Sequence, residues 1–117
     1  MAMHIPGAGP HDGAPQIDVD ALHARLAAGE PAQVVDVRED WEWAQGHIGQ
    51  ATHIPLGELP RRLGELDPSR PIVFICHLGG RSDMAARFAQ QHGRSDVASA
   101  AGGMEAWESR AFPVTSG

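Results

Sequence analysis

The chain has 117 residues, a formal charge of −6, and 42% apolar and 21% charged residues, one globular domain of ordinary composition. All nine basic residues are arginine, and they form no basic cluster, so nucleic acid and anionic membrane surfaces are poor partners. One cysteine rules out an internal disulfide and any CxxC pair, and no apolar run approaches the roughly 18 residues of a membrane span.

The N-terminus shows no basic segment followed by an apolar stretch, so a secretory signal is not expected and a cytoplasmic setting is. Residues 1–16 include Pro6, Gly7, Gly9, Pro10, Gly13 and Pro15. This composition predicts a flexible leader, with the folded domain running from 17 to 117. Asp18 is a candidate N-cap for a helix carrying Val19, Leu22 and Leu26, stopped at Gly29. Gln33 to Val37 reads as a short buried strand. Asp40 to Gln45 reads as a helical turn carrying Trp41 and Trp43. Thr52-His53-Ile54 is a short extended piece before Pro55. Leu59, Leu63 and Leu66 lie on one face of a second helix, closed by Asp67-Pro68.

Ile72 to Ile75 is an unbroken apolar run, the pattern of a strand covered on both faces. A helix from Ser82 to His92 follows, with Ala85, Phe88, Ala89 and His92 on one face and Gly93 ending it. Val97 to Ala100 is a weak strand. Gly102-Gly103 then turns into a short helix from Met104 to Ser109. The three tryptophans, Trp41, Trp43 and Trp107, are expected to be packing residues. Strands alternating with helices predict an α/β domain with a central, mainly parallel sheet.

The lone cysteine, Cys76, falls where the apolar strand ends, and ligands in open α/β sheets bind beyond the carboxyl ends of strands. Gly79 and Gly80 allow positive φ, so that loop amides can turn inward beside the start of a helix. Helix N-termini favour negative charge, and Arg81 adds a planar donor fork. Together these predict a thiol more acidic than a free cysteine and a place for an anion beside it. Asp83, in the first helical turn, is expected to offset part of that field. His4, His11, His23, His53 and His92 show no metal-binding spacing, and neither a metal nor an organic cofactor is expected.

The loop Cys76-His77-Leu78-Gly79-Gly80-Arg81-Ser82 resembles the active-site loop of the rhodanese family of sulfurtransferases. Asp36-Val37-Arg38-Glu39 resembles the family's DVRE motif. Gly46-His47-Ile48 with Ala51, His53, Ile54 and Pro55 resembles its GHIPGAxxIP motif, and Gly102-Gly103-Met104 with Ala106 and Trp107 its GGxxAW ending. Phe112-Pro113-Val114 matches its usual exit, so the resemblance runs from Ile17 to Val114.

The resemblance implies a rhodanese-like fold, with helices on both faces of the sheet. It implies transfer of sulfane sulfur from a donor such as thiosulfate to cyanide or a thiol, through a persulfide on Cys76. Cys76 would be the catalytic nucleophile. His77, Leu78, Gly79, Gly80, Arg81 and Ser82 would bind the substrate, with Leu78 in the pocket wall. Asp36, Arg38 and His47 would brace the surrounding loops. His77 is a weaker candidate for a general base, since a stabilised thiolate needs none. The implied partners are a small-molecule donor and acceptor, with a protein thiol as a further acceptor, and a monomer is expected.

Two rival readings remain open: a non-catalytic binding module of the same fold, and a cysteine phosphatase or arsenate-type enzyme. The phosphatase loop is Cys-x5-Arg, whereas Arg81 stands one residue earlier here. The chain also departs from the family at Gly49-Gln50, in place of Pro-Gly, and at Trp43, where tyrosine is common.

Overall fold

The structure, a computed structural model, describes residues 13–116. The elements run β1 (Gln16–Asp18), α1 (Val19–Ala27), β2 (Gln33–Asp36), α2 (Asp40–Gln45), β3 (Thr52–His53), α3 (Leu59–Arg62), β4 (Ile72–Ile75), α4 (Gly80–Gln91), β5 (Val97–Ala101) and α5 (Gly103–Ser109). The five strands form one sheet in the order β1-β5-β4-β2-β3, and every neighbouring pair is parallel. Among the described residues no helix is long and apolar enough to cross a membrane.

The missing alternation in β4 has a direct cause: all four of its residues are buried. Ile72 and Phe74 pack with Leu59, Leu63, Ala85 and Ala89, on the side of α3 and α4. Val73 and Ile75 pack with Leu22, Met104 and Trp107, on the side of α1 and α5. Each fully buried side chain of this size contributes about 1.5–3 kcal/mol of transfer free energy, so the central strand is firmly held. Continuing its alternation places Cys76 on the α4 side. Asp18 caps α1 as expected, accepting from the Ala21 N–H at 2.8 Å.

Several expectations need correction. The expected helix through Leu59–Leu66 is only four residues of α-helix between two 3-10 turns, Leu56–Glu58 and Leu63–Glu65. Gly57 and Gly64 sit in those turns, and the backbone closes there with i→i+3 bonds such as Leu66 N to Leu63 O. Helix α4 starts two residues before Ser82. The folded body also starts before residue 17. The Ala14 N–H donates to Asp83 Oδ1 at 2.9 Å, and Pro15 O accepts from the Ser99 N–H. The rest of the expected leader, 1–12, lies outside the described residues.

Trp107 is buried and donates from Nε1 to Pro113 O. Trp43 stacks between the His47 and His53 rings. Trp41, however, is 64% exposed. It lies on a two-turn helix none of whose residues is buried, so it is not a core residue.

Candidate active site

Helix α4 has no side-chain N-cap, because its capping position is Gly79. The Cys76 sulfur takes that role. Sγ accepts from the Gly79 N–H at 3.1 Å and from the Ser82 N–H at 3.3 Å, and it lies 3.5 Å from Ser82 Oγ. An N-cap group ordinarily accepts from the amides at the second and third helical positions, here Arg81 and Ser82. Gly79 has φ +122°, which turns its own N–H inward; Gly80 has no positive φ and supplies only the first helical residue.

The next turn of the chain holds this loop from behind. Met104 N–H donates to Cys76 O at 2.8 Å and Glu105 N–H to His77 O at 3.0 Å, both from the start of α5. Gly103 sits at φ +56°, and a Cβ there would collide with the carbonyl oxygens of Cys76 and His77. The Gly102-Gly103-Met104 sequence is therefore what lets α5 donate to the loop carbonyls while the loop amides face the sulfur.

Burial is the largest single influence on the thiol and pushes its pKa up. The Ser82 hydroxyl and the amides of Ser82, Gly79 and Arg81 together outweigh it, and the net shift is downward. Cys76 is 1% exposed, yet its sulfur is lined by donors on the helix side. This favours a thiolate over an inert core thiol.

The sequence predicts that the Arg81 guanidinium faces an anion. It is held instead by Glu42 on α2, through two bonds of 2.7 and 2.9 Å. Glu42 Oε1 is also within reach of the Glu39 N–H, which it accepts at 2.9 Å. Arg81 is the main reason the Glu42 carboxyl falls from 4.5 to about 2. Because the folded value is depressed, the stabilisation from this pair is complete above about 4.5 and is lost as the pH falls through about 2. The pair is intact at neutral pH. Asp83 is likewise occupied: Arg87 Nε lies 3.1 Å from it, and Ala14 and Gln16 donate to it, so it offsets the field at Cys76 less than its position suggests.

A cleft of about 300 Å³ lies beside this arrangement, lined by Arg38, Trp41, Glu42, Gln45, His77 and Met104 among others. Cys76 itself is not in its lining. Leu78, expected in the pocket wall, is 59% exposed and is not in the lining either. The loop turns it to the outside while its neighbour His77 lines the cleft.

Of the three expected bracing residues, two meet. Arg38 binds Asp36 through Nε and a terminal nitrogen, at 2.8–3.1 Å, and donates onward to Gly46 O at 2.8 Å. His47 does not join them by its side chain; Nδ1 lies 2.8 Å from Trp43 O and the ring stacks on Trp43. Sequence reasoning missed Glu42 and Ser99. Only the spacing of Glu39 and Glu42, a capping box at the start of α2, marked Glu42 as structured. Ser99, buried on β5, carries no sequence signal.

A parallel sheet whose central strand leads into a cysteine that caps the next helix defines an α/β domain with a sulfur-bearing loop at the carboxyl end of its sheet. The chain belongs to the rhodanese-like domain family, whose model matches residues 18–110. It is 39% identical over 98 residues to the "Putative sulfurtransferase YtwF" of Bacillus subtilis, covering 84% of this chain and 94% of that protein. It is also 39% identical over 93 residues to the same organism's "Putative sulfur carrier protein YrkF", covering 80% of this chain but only 50% of that protein. Among solved structures, a rhodanese-related protein from Thermoplasma volcanium superposes with a TM-score of 0.79 at 29% identity, covering 86% of this chain and 97% of that one. The relatives place the chain in a sulfurtransferase family.

Proposed function

We propose that this protein transfers sulfane sulfur through a persulfide on Cys76, with thiosulfate as a competent donor and cyanide or a thiol as acceptor. In the first half-reaction the Cys76 thiolate attacks the outer sulfur of thiosulfate. A new S–S bond forms, the donor's S–S bond breaks, and sulfite leaves with the electron pair. In the second, the acceptor attacks the outer sulfur of the persulfide and the thiolate returns. No electrons are gained or lost overall.

The observation that carries this reading is the sulfur in the N-cap position of α4, where donors meet a developing negative charge. The neighbouring cleft is lined by His77 and Glu42 but by neither Cys76 nor Arg81, so a donor that approaches through it reaches the sulfur and the guanidinium only once Glu42 and Arg81 part or shift. A phosphatase reading is weaker. Its loop is one residue longer, and the one loop arginine here is engaged by a carboxylate.

Intact mass spectrometry tests the proposal. Thiosulfate should add the mass of one sulfur atom to the protein, and cyanide or a small thiol should then remove it. An unchanged mass with thiosulfate and with other sulfane donors would leave the binding-module reading in its place.

A further inference from the structure

We propose that Ser99 is a positioning residue for the thiolate, acting through Ser82: its hydroxyl donates to Ser82 Oγ and so leaves the Ser82 proton free for the Cys76 sulfur. Ser99 is on β5, opposite Phe74 of β4, and it is 0% exposed. Its Oγ lies 2.7 Å from Ser82 Oγ.

The direction of that bond follows from counting protons. Each hydroxyl has one proton to give and two lone pairs to receive. Among the described residues, Ser99 Oγ has one hydrogen-bond partner, Ser82 Oγ. If Ser82 donated to Ser99, the Ser99 proton would be buried without an acceptor, a costly arrangement. With Ser99 as donor, both protons are used.

With the thiol protonated, the sulfur donates to Ser82 Oγ at 3.5 Å and the Ser82 proton goes to Gly79 O at 3.1 Å; once the thiol ionises, Sγ has no proton to give and becomes a second acceptor within reach of the Ser82 hydroxyl. Gly79 O already accepts the Asp83 N–H at 3.0 Å. Once the sulfur is charged it is the stronger acceptor. The chain Ser99 to Ser82 to sulfur polarises along its length, each bond strengthening the next. Ser99 lies outside the cysteine loop, on β5, and does not line the neighbouring cleft.

This inference rests on the thiolate reading of Cys76 but not on the identity of the donor. The test is the pH dependence of Cys76 alkylation by iodoacetamide in the full chain, where a single cysteine makes the readout unambiguous. The titratable groups on the surrounding elements, Arg81 and Asp83 on α4, Glu42 on α2, Glu105 on α5 and His77 in the loop, stay the same in every variant. Ser99→Ala should raise the alkylation midpoint by about half a pH unit, an approximately threefold slower reaction below the midpoint. Ser99→Thr, which keeps the hydroxyl, should hold the wild-type midpoint. Ser99→Val, of the same shape without the hydroxyl, should move with alanine, and this pair decides the matter if the alanine protein does not fold.

Midpoints for alanine and valine equal to wild type would overturn the proposal, as would a threonine shift as large as valine's. Wild-type protein that accepts no sulfur while the Ser99 variants still shift would sink the sulfur-transfer reading and leave this inference standing.

Discussion

Cys76→Ala should lose sulfur transfer by a factor on the order of 10⁴ or more, since no other nucleophile of its kind exists in the chain. The loss should come without unfolding. The sulfur belongs to an apolar cluster, but its larger structural duty is to accept amides at the start of α4. Removing it resembles deleting an N-cap, which costs about 0.5–2 kcal/mol. Cys76→Ser sharpens the comparison, because its oxygen can still accept those amides while forming no persulfide. Thermal unfolding should therefore rank wild type and serine close together, with alanine somewhat lower, while both variants show no added sulfur by mass. A variant that keeps cooperative unfolding and still takes up sulfur would remove Cys76 from the mechanism.

Asp36→Asn should be the most destabilising conservative change near the site, by about 3–5 kcal/mol. Asp36 is fully buried and Arg38 nearly so, and their carboxylate and guanidinium meet directly. Asp36 Oδ1 also accepts the Arg38 backbone N–H at 3.0 Å, which fixes the turn after β2. An amide in place of the carboxylate keeps one accepting oxygen but removes the counter-charge and turns an NH2 donor toward the guanidinium, so the buried cation is left uncompensated. Against a total stability of about 5–15 kcal/mol for a domain, that is a large fraction. The double variant Asp36→Leu with Arg38→Met should recover much of the loss, since it removes both charges. Urea unfolding measures this as a shift in midpoint at constant slope. A single variant costing less than about 1 kcal/mol, or a double no better than the single, would show that the pair does not hold the fold in this way.

Much of the architecture could be read from local patterns because those patterns have local causes. Burial on both faces removes the alternation of Ile72 to Ile75, and Asp18 caps the helix that follows it. The cysteine loop was legible because strand end, glycine and arginine stand within seven consecutive residues, Cys76 to Ser82. What escaped was set by contacts across the fold. Glu42 reaches Arg81 across 39 positions of sequence, so an arginine that looks free for an anion is already engaged. Ser99 reaches Ser82 from a strand 17 positions further on, and a serine in a weak strand has no pattern that marks it. Helix α4 starts at Gly80, two residues before the start its apolar pattern predicts: glycine is a poor helix former, but the sulfur cap stabilises those first residues from outside the helix. Residue type alone predicts packed positions for Trp41 and Leu78, but a two-turn helix and a tight loop leave both facing outward.

Whether the amide-lined site holds sulfur as an anion is decided most directly by titrating the Cys76 thiol in the unmodified protein through the ultraviolet absorbance of the thiolate. The chain has one cysteine and no tyrosine, so neither a second thiol nor a phenolate intrudes. The absorbance should reach half its rise below about 8.5, the value of an unperturbed cysteine. A midpoint at about 9 or higher would mean that burial outweighs the loop's donors, and Cys76 would then be an ordinary core thiol.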